Sequence, residues 1–210
     1  MRRRRPVLPL AFGMLMAALL PAAAQPAPLA AAATEQSAPA PAKPGDPPGP
    51  SRPDDPFGEE TTLAARPMIV MKGNATWDRA YDTLLDAFET LQQYLAKQGI
   101  TPAGPATAIY TDADETGFTY EAGYPVAAPP ASPPAGDISV SRSREGRALK
   151  FVHRGSYDTL DTTYEAITNH FDEKRLDSAE VFIEEFVTDP LKTSEDDLVI
   201  NVYVPVKEAP

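Results

Sequence analysis

Glu184 stands between Phe182 and Phe186 in the run VFIEEFV, where the alternation of a strand puts all three side chains on one face. A carboxylate flanked by aromatic rings can do two kinds of chemistry. It can hold an organic cation, with the ring faces attracting the charge and the carboxylate balancing it. If burial raises its pKa toward neutrality, it can instead act as a general base that activates water. The only histidines, His153 and His170, belong to no metal-ligand or triad spacing, and no glycine-rich phosphate loop occurs. Neither a metal nor a cofactor is therefore expected.

Such a face needs elements to position it. Trp77, Ala80, Tyr81, Leu84, Leu85, Phe88, Leu91 and Leu95 recur at three- and four-residue steps, which predicts a helix, with Thr76 as N-cap and Gly99 as stop. Two extended runs follow, ATAIYT and FTYEAGYPV. The second half repeats the order: the strand LKFVHRG, a cap at Ser156, a helix marked by Tyr157, Leu160, Tyr164, Ile167 and Phe171, then VFIEEFV and LVINVYVPV. The first half likewise opens on a strand, PMIVMKG, and the halves close on Pro125-Val126 and Pro205-Val206. The expected fold is α+β. Two pseudo-symmetric strand-helix-strand-strand repeats, about 66–126 and 147–206, form one antiparallel sheet with both helices on one face and a ligand groove on the other. In the proline-rich crossover, Ile138 to Val140 can add a strand.

Register then assigns faces. Val181, Ile183, Glu185 and Val187 are the more aliphatic set and are expected beneath the helices, which leaves Phe182, Glu184 and Phe186 on the groove side. The same reasoning puts Leu198, Ile200, Val202 and Val204 under the helices and Asn201 and Tyr203 opposite. Aligning the repeats adds Tyr110 and Glu121. The expected ligand-binding residues are thus Tyr110, Glu121, Phe182, Glu184, Phe186, Asn201 and Tyr203, with Trp77 at the edge. Three alternatives stand beside this reading. The face can be a solvated sheet surface, a bulge would exchange Glu184 with Glu185, and Trp77 and Tyr157, at equivalent helix starts, also read as core anchors.

The N-terminus bears on where this happens. MRRRRPVLPLAFGMLMAALLPAAA has a basic start, an apolar stretch and small residues before Gln25, the build of a secretory signal cleaved after Ala24, with retention as an anchor the alternative. The apolar run is too short and too proline-interrupted for a stable membrane span after cleavage. Residues 25–61 are rich in Ala and Pro and read as a disordered spacer, and 62–207 as one folded domain. With no cysteine, the domain must be held by its core rather than by disulfides. The net charge of -11 disfavours nucleic acid and favours cations. The expected location is periplasmic or secreted.

FVHRGSYDTLDTTYEAI, FIEEFVTDP and VINVYVPV together resemble the second half of the GyrI-like small-molecule-binding domain, the effector-binding module of AraC-type and multidrug-sensing regulators. YEAGYPV resembles the closing strand of its first half, so the resemblance spans about Pro67 to Val206. It implies a groove for varied, often cationic compounds. It also implies a ligand-contacting glutamate in a glutamate-x-tyrosine pattern, which falls on Glu184 and Phe186 with the tyrosine hydroxyl missing. Where the regulators carry a DNA-binding helix-turn-helix, this chain has the signal-like segment and the spacer. The family shares its architecture with haem-binding proteins, but no residue here argues for haem. The leading expectation is a periplasmic protein that binds hydrophobic, cationic small molecules as sensor, scavenger or carrier. A cofactor-independent, glutamate-dependent hydrolase and an envelope interaction protein with a protein partner are the alternatives.

Overall fold

The computed structural model describes residues 55–179 and 181–207. The expected signal, and the expected spacer as far as residue 54, lie outside the described residues. The sheet itself begins at Phe57, inside the stretch expected to be spacer. Strand β1 (Phe57–Leu63) pairs with β6 (Gly146–Arg154) through a register shift between Phe57 and Glu59. Phe57 packs its ring edge-on against Phe151 and His170, which gives this short strand an anchor that its polar residues do not announce.

The remaining strands are β2 (Pro67–Thr76), β3 (Ala106–Ala113), β4 (Gly117–Pro125), β5 (Ile138–Arg142), β7 (Phe182–Phe186) and β8 (Val199–Pro205). All pairings are antiparallel, in the order β1-β6-β8-β7-β3-β4-β2-β5. Read outward from the central β7-β3 pair, the two halves match. Each has its second strand at the centre, its third beside it and its first outside that. Each outer strand then pairs with an added edge strand, β1 on one side and β5 on the other. Two isolated bridges repeat as well, Pro102 with Val126 and Ser178 with Val206. The internal repeat is thus a property of the ladder, although few residues are shared.

Helix α1 (Ala80–Lys97) follows a 3-10 turn at Trp77–Arg79, and α2 (Leu160–Lys174) follows one at Tyr157–Thr159. Ser156 caps the second turn, its hydroxyl accepting from the Asp158 amide, whereas Thr76 precedes the first with no side-chain cap. Gly99, at φ +67, ends the first helix as a residue without Cβ can. Leu84, Phe88, Leu91 and Leu95 of α1 and Leu160, Ile167 and Phe171 of α2 bury their side chains against one sheet face, with Ile69, Ala108, Phe151, Ile200, Val202 and Val204 among their partners. Met68, Val70, Ile109 and Ile183 form a second buried cluster on the other face, to which neither helix contributes.

Candidate functional site

Glu184 lies on the helix-covered face, opposite to the expected assignment. In the β7-β3 ladder Phe182, Glu184 and Phe186 pair with Tyr110, Ala108 and Ala106, and in β7-β8 Glu184 and Phe186 pair with Val202 and Ile200. Directly paired residues share a face. The aliphatic rule failed in β7 because this strand reverses it: aromatic rings fill the helix side, and Ile183 goes to the second cluster. Small neighbours permit this. Ala106, Ala108 and Ala122 beneath the helices leave the depth that large rings need.

Three phenols surround the carboxylate. Tyr110 donates to Glu184 Oε2 at 2.7 Å, Tyr157 reaches the same oxygen at 3.2 Å, and Tyr164 donates to Oε1 at 2.6 Å. The Tyr110 and Tyr157 hydroxyls are 2.7 Å apart. Because Tyr110 gives its proton to the carboxylate, the Tyr157 proton is shared between Tyr110 and Glu184. The cage is assembled from β3, β7, the turn before α2 and α2 itself. Glu184 is only 1% exposed. Burial pushes its carboxyl up to about 7, and the three hydroxyl donors hold it from rising further. Burial beside that carboxylate pushes all three phenols well above their usual range, so they remain donors.

Aromatic surface encloses this charge. Tyr157 is stacked on Tyr81 of α1 at 4.9 Å between ring centres, and lies nearly parallel to Phe186 at 6.4 Å. Phe182 meets Tyr164 edge-on at 5.2 Å. Tyr110 meets Phe118, which in turn packs on Trp77. A ligand reaches Glu184 only if one of these rings swings away. Tyr157 stands two residues after Gly155, at φ +108, and opens a short 3-10 turn. His153 steadies the base of that turn. Its Nε2 lies 3.0 Å from the Ser156 carbonyl, an acceptor only, so Nε2 carries the proton and Nδ1 accepts from Thr163 at 2.8 Å. Burial holds this histidine below its ordinary pKa, and hence neutral.

The expected binding residues therefore separate into two groups. Glu184, Phe182, Phe186 and Tyr110 come together under the helices. Glu121, Asn201 and Tyr203 lie on the other face, as expected, but are not joined to Glu184. Tyr203 and Asn201 donate to Glu185 at 3.0 and 3.1 Å, and Glu121 is paired with Lys72 at 2.7 Å. Trp77 is 46% exposed, its indole donating to the Asp114 carbonyl, and touches the cage only through the Phe118 ring. The sequence reading missed Tyr164 as a site residue and left Tyr157 as a core anchor. The signal was present: both belong to the apolar stripe that runs from the 3-10 turn into α2, and a buried phenol needs a hydrogen-bond partner. Among the described residues no group of three acidic, histidine or cysteine side chains could hold a metal ion, and no helix is long and apolar enough to cross a membrane.

Known proteins share this fold. The family model for the GyrI-like small molecule binding domain matches residues 59–207. Among solved structures, the EcmrR C-terminal domain superposes with a TM-score of 0.61 at 15% identity, covering 72% of this chain and 97% of that one. EcmrR in a complex with DNA gives 0.61 at 14% identity over 72% of this chain, which spans 57% of the length of that one. SAV2435 bound to tetraphenylphosphonium gives 0.50 at 11% identity, covering 71% and 93%. At such identities these structures speak for the fold alone. No curated protein matches in sequence.

Proposed function

Because this chain belongs to the GyrI-like small-molecule-binding family, we propose that its ligand is a lipophilic organic cation held against Glu184 inside the tyrosine cage. The observation that carries this reading is a carboxylate, 1% exposed, whose hydrogen-bond partners are phenols and whose described surroundings contain no cationic partner. A buried charge without a counter-ion is costly, and bringing a cation into the cage removes that cost. The rings of Tyr157, Tyr81, Phe182 and Phe186 then offer the faces on which such a cation would lie. Tetraphenylphosphonium, the molecule bound by SAV2435, has the required chemistry and serves as a probe.

Exposing Glu184 to the ligand requires Tyr157 to leave its stack on Tyr81, and the cation's rings take its place. The ligand must therefore offset lost stacking of about 0.5–1.5 kcal/mol, which favours large aromatic cations over small ammonium ions. The basic, apolar and small-residue segments before Gln25 support work outside the cytoplasm, as a periplasmic or secreted sensor, scavenger or carrier. Calorimetry of the full chain with tetraphenylphosphonium tests the binding role. Glu184→Gln should weaken binding roughly thirtyfold, a loss of about 2 kcal/mol. Unchanged affinity would remove Glu184 as the counter-charge.

A further inference from the structure

A cavity lined in part by Phe186 lies apart from Glu184 and its three phenols. It has a volume of about 480 Å³ and opens between the last turns of α1, the 100–106 segment and the chain that leaves β7. Leu95, Ile100, Pro105 and Phe186 give it an apolar lining. Its polar groups are few and specific. Gln92 Nε2 lies 3.1 Å from the Tyr124 hydroxyl oxygen, and among the described residues neither the Tyr124 proton nor the Gln92 amide oxygen has a further partner. Whichever way the amide is turned, the pair keeps at least one spare donor and one spare acceptor. Tyr124 is 4% exposed, and burial pushes its phenol up to about 12, so it keeps its proton.

The charges at the rim narrow the class of occupant. Asp189 accepts from Lys192 at 2.5 Å and from the Leu191 amide at 3.1 Å, so its charge is already answered. A cation finds no free counter-charge there, and an anion would meet the Asp189 carboxylate. An uncharged head that both accepts and donates satisfies Tyr124 and Gln92 together, and a chain of several carbons fits the apolar lining. We propose that this cavity is a second ligand site, for an uncharged amphiphile whose amide-like head pairs with Tyr124 and Gln92 and whose alkyl tail lies on Leu95, Ile100 and Phe186. The site is separate from Glu184 and does not depend on the cation reading.

Octanamide is a suitable probe, titrated into the full chain and followed by ligand-observed NMR. The wild-type chain should bind it, and Glu184→Gln should bind it equally. Ala96, an exposed residue of the cavity lining, can be enlarged without disturbing the core, and Ala96→Trp should abolish binding. Tyr124→Phe removes the hydroxyl and should weaken binding about fivefold. Failure of the wild-type chain to bind octanamide would overturn the proposal. So would loss of binding in Glu184→Gln, which would place the probe in the cage, or undiminished binding in Ala96→Trp.

Discussion

Glu184 and Glu185 are neighbours in the chain, yet their carboxylates serve opposite faces of the sheet. Glu184 accepts from Tyr110, Tyr157 and Tyr164 beneath the helices. Glu185 accepts from Tyr203 and Asn201 on the other side. Each acid has phenol partners, but only the first sits in a cage closed by stacked rings. The two-residue period of a strand thus gives adjacent, chemically identical residues different environments, and their substitutions should separate cleanly.

Glu185→Gln is the control for the face assignment. It keeps an acceptor for Tyr203 and Asn201 and leaves the cage untouched, so tetraphenylphosphonium affinity should stay within about twofold of wild type. A loss as large as that expected for Glu184→Gln, measured by the same calorimetry, would mean that the ligand lies on the second face.

The raised pKa of Glu184 makes stability depend on pH. An unfolded glutamate ionises near its ordinary value of 4.5, whereas in the fold this carboxyl ionises at about 7. Between those values the native state holds a proton that the unfolded chain has lost, so stability falls as pH rises through the window and levels off above it. The shift corresponds to about 3 kcal/mol. His153, buried and neutral, works in the opposite sense below its ordinary pKa, so the difference between wild type and Glu184→Gln is the informative quantity. Urea denaturation at pH 5 and pH 8 should show wild type losing about 2.5 kcal/mol more than the variant between the two, since part of the window lies below pH 5. Parallel profiles would contradict the burial of an ionisable carboxyl here.

Tyr164 is the hydroxyl donor to Glu184 Oε1 and the strongest of the three influences holding that carboxyl down. Tyr164→Phe keeps the ring against Phe182 and removes only the donor. The carboxyl should then ionise about one pH unit higher, and the pH midpoint of cation binding should move up with it. An unchanged midpoint would show that the hydroxyl does not stabilise the ionised form.

Much of the fold was legible in residue patterns. The stripe from Leu84 to Leu95 gave the first helix, the Pro-Val pairs marked matching strand ends, and Gly99 and Ser156 marked helix boundaries. The edge strand at Phe57 was not legible, because FGEETTL lacks alternation and is held by backbone pairing with β6 and by the Phe57 ring on Phe151 and His170, contacts between segments far apart in sequence. Of the site, the pairing of Glu184 with Tyr110 could be reached from register, but the face could not. With VFIEEFV apolar on both sides, periodicity cannot say which side the helices cover. What decides it is packing volume: Ala106, Ala108 and Ala122 admit Phe186 and the phenols, and such complementarity exists only between strands distant in the sequence. Tyr157 and Tyr164 were read as core for the same reason. A single helix stripe shows that they are buried, and only the assembled sheet shows what their hydroxyls meet.

The most direct test of the central claim is proton release. Tetraphenylphosphonium has no titratable group, so if it pairs with an ionised Glu184, binding at pH 6 must expel the proton that the empty cage holds. Calorimetry at pH 6 in buffers of different ionisation enthalpy should report close to one proton released per ligand by the wild-type chain and none by Glu184→Gln. Tight binding with no proton release in the wild-type chain would show that the cation is held without the Glu184 charge, and the account of the cage would fail.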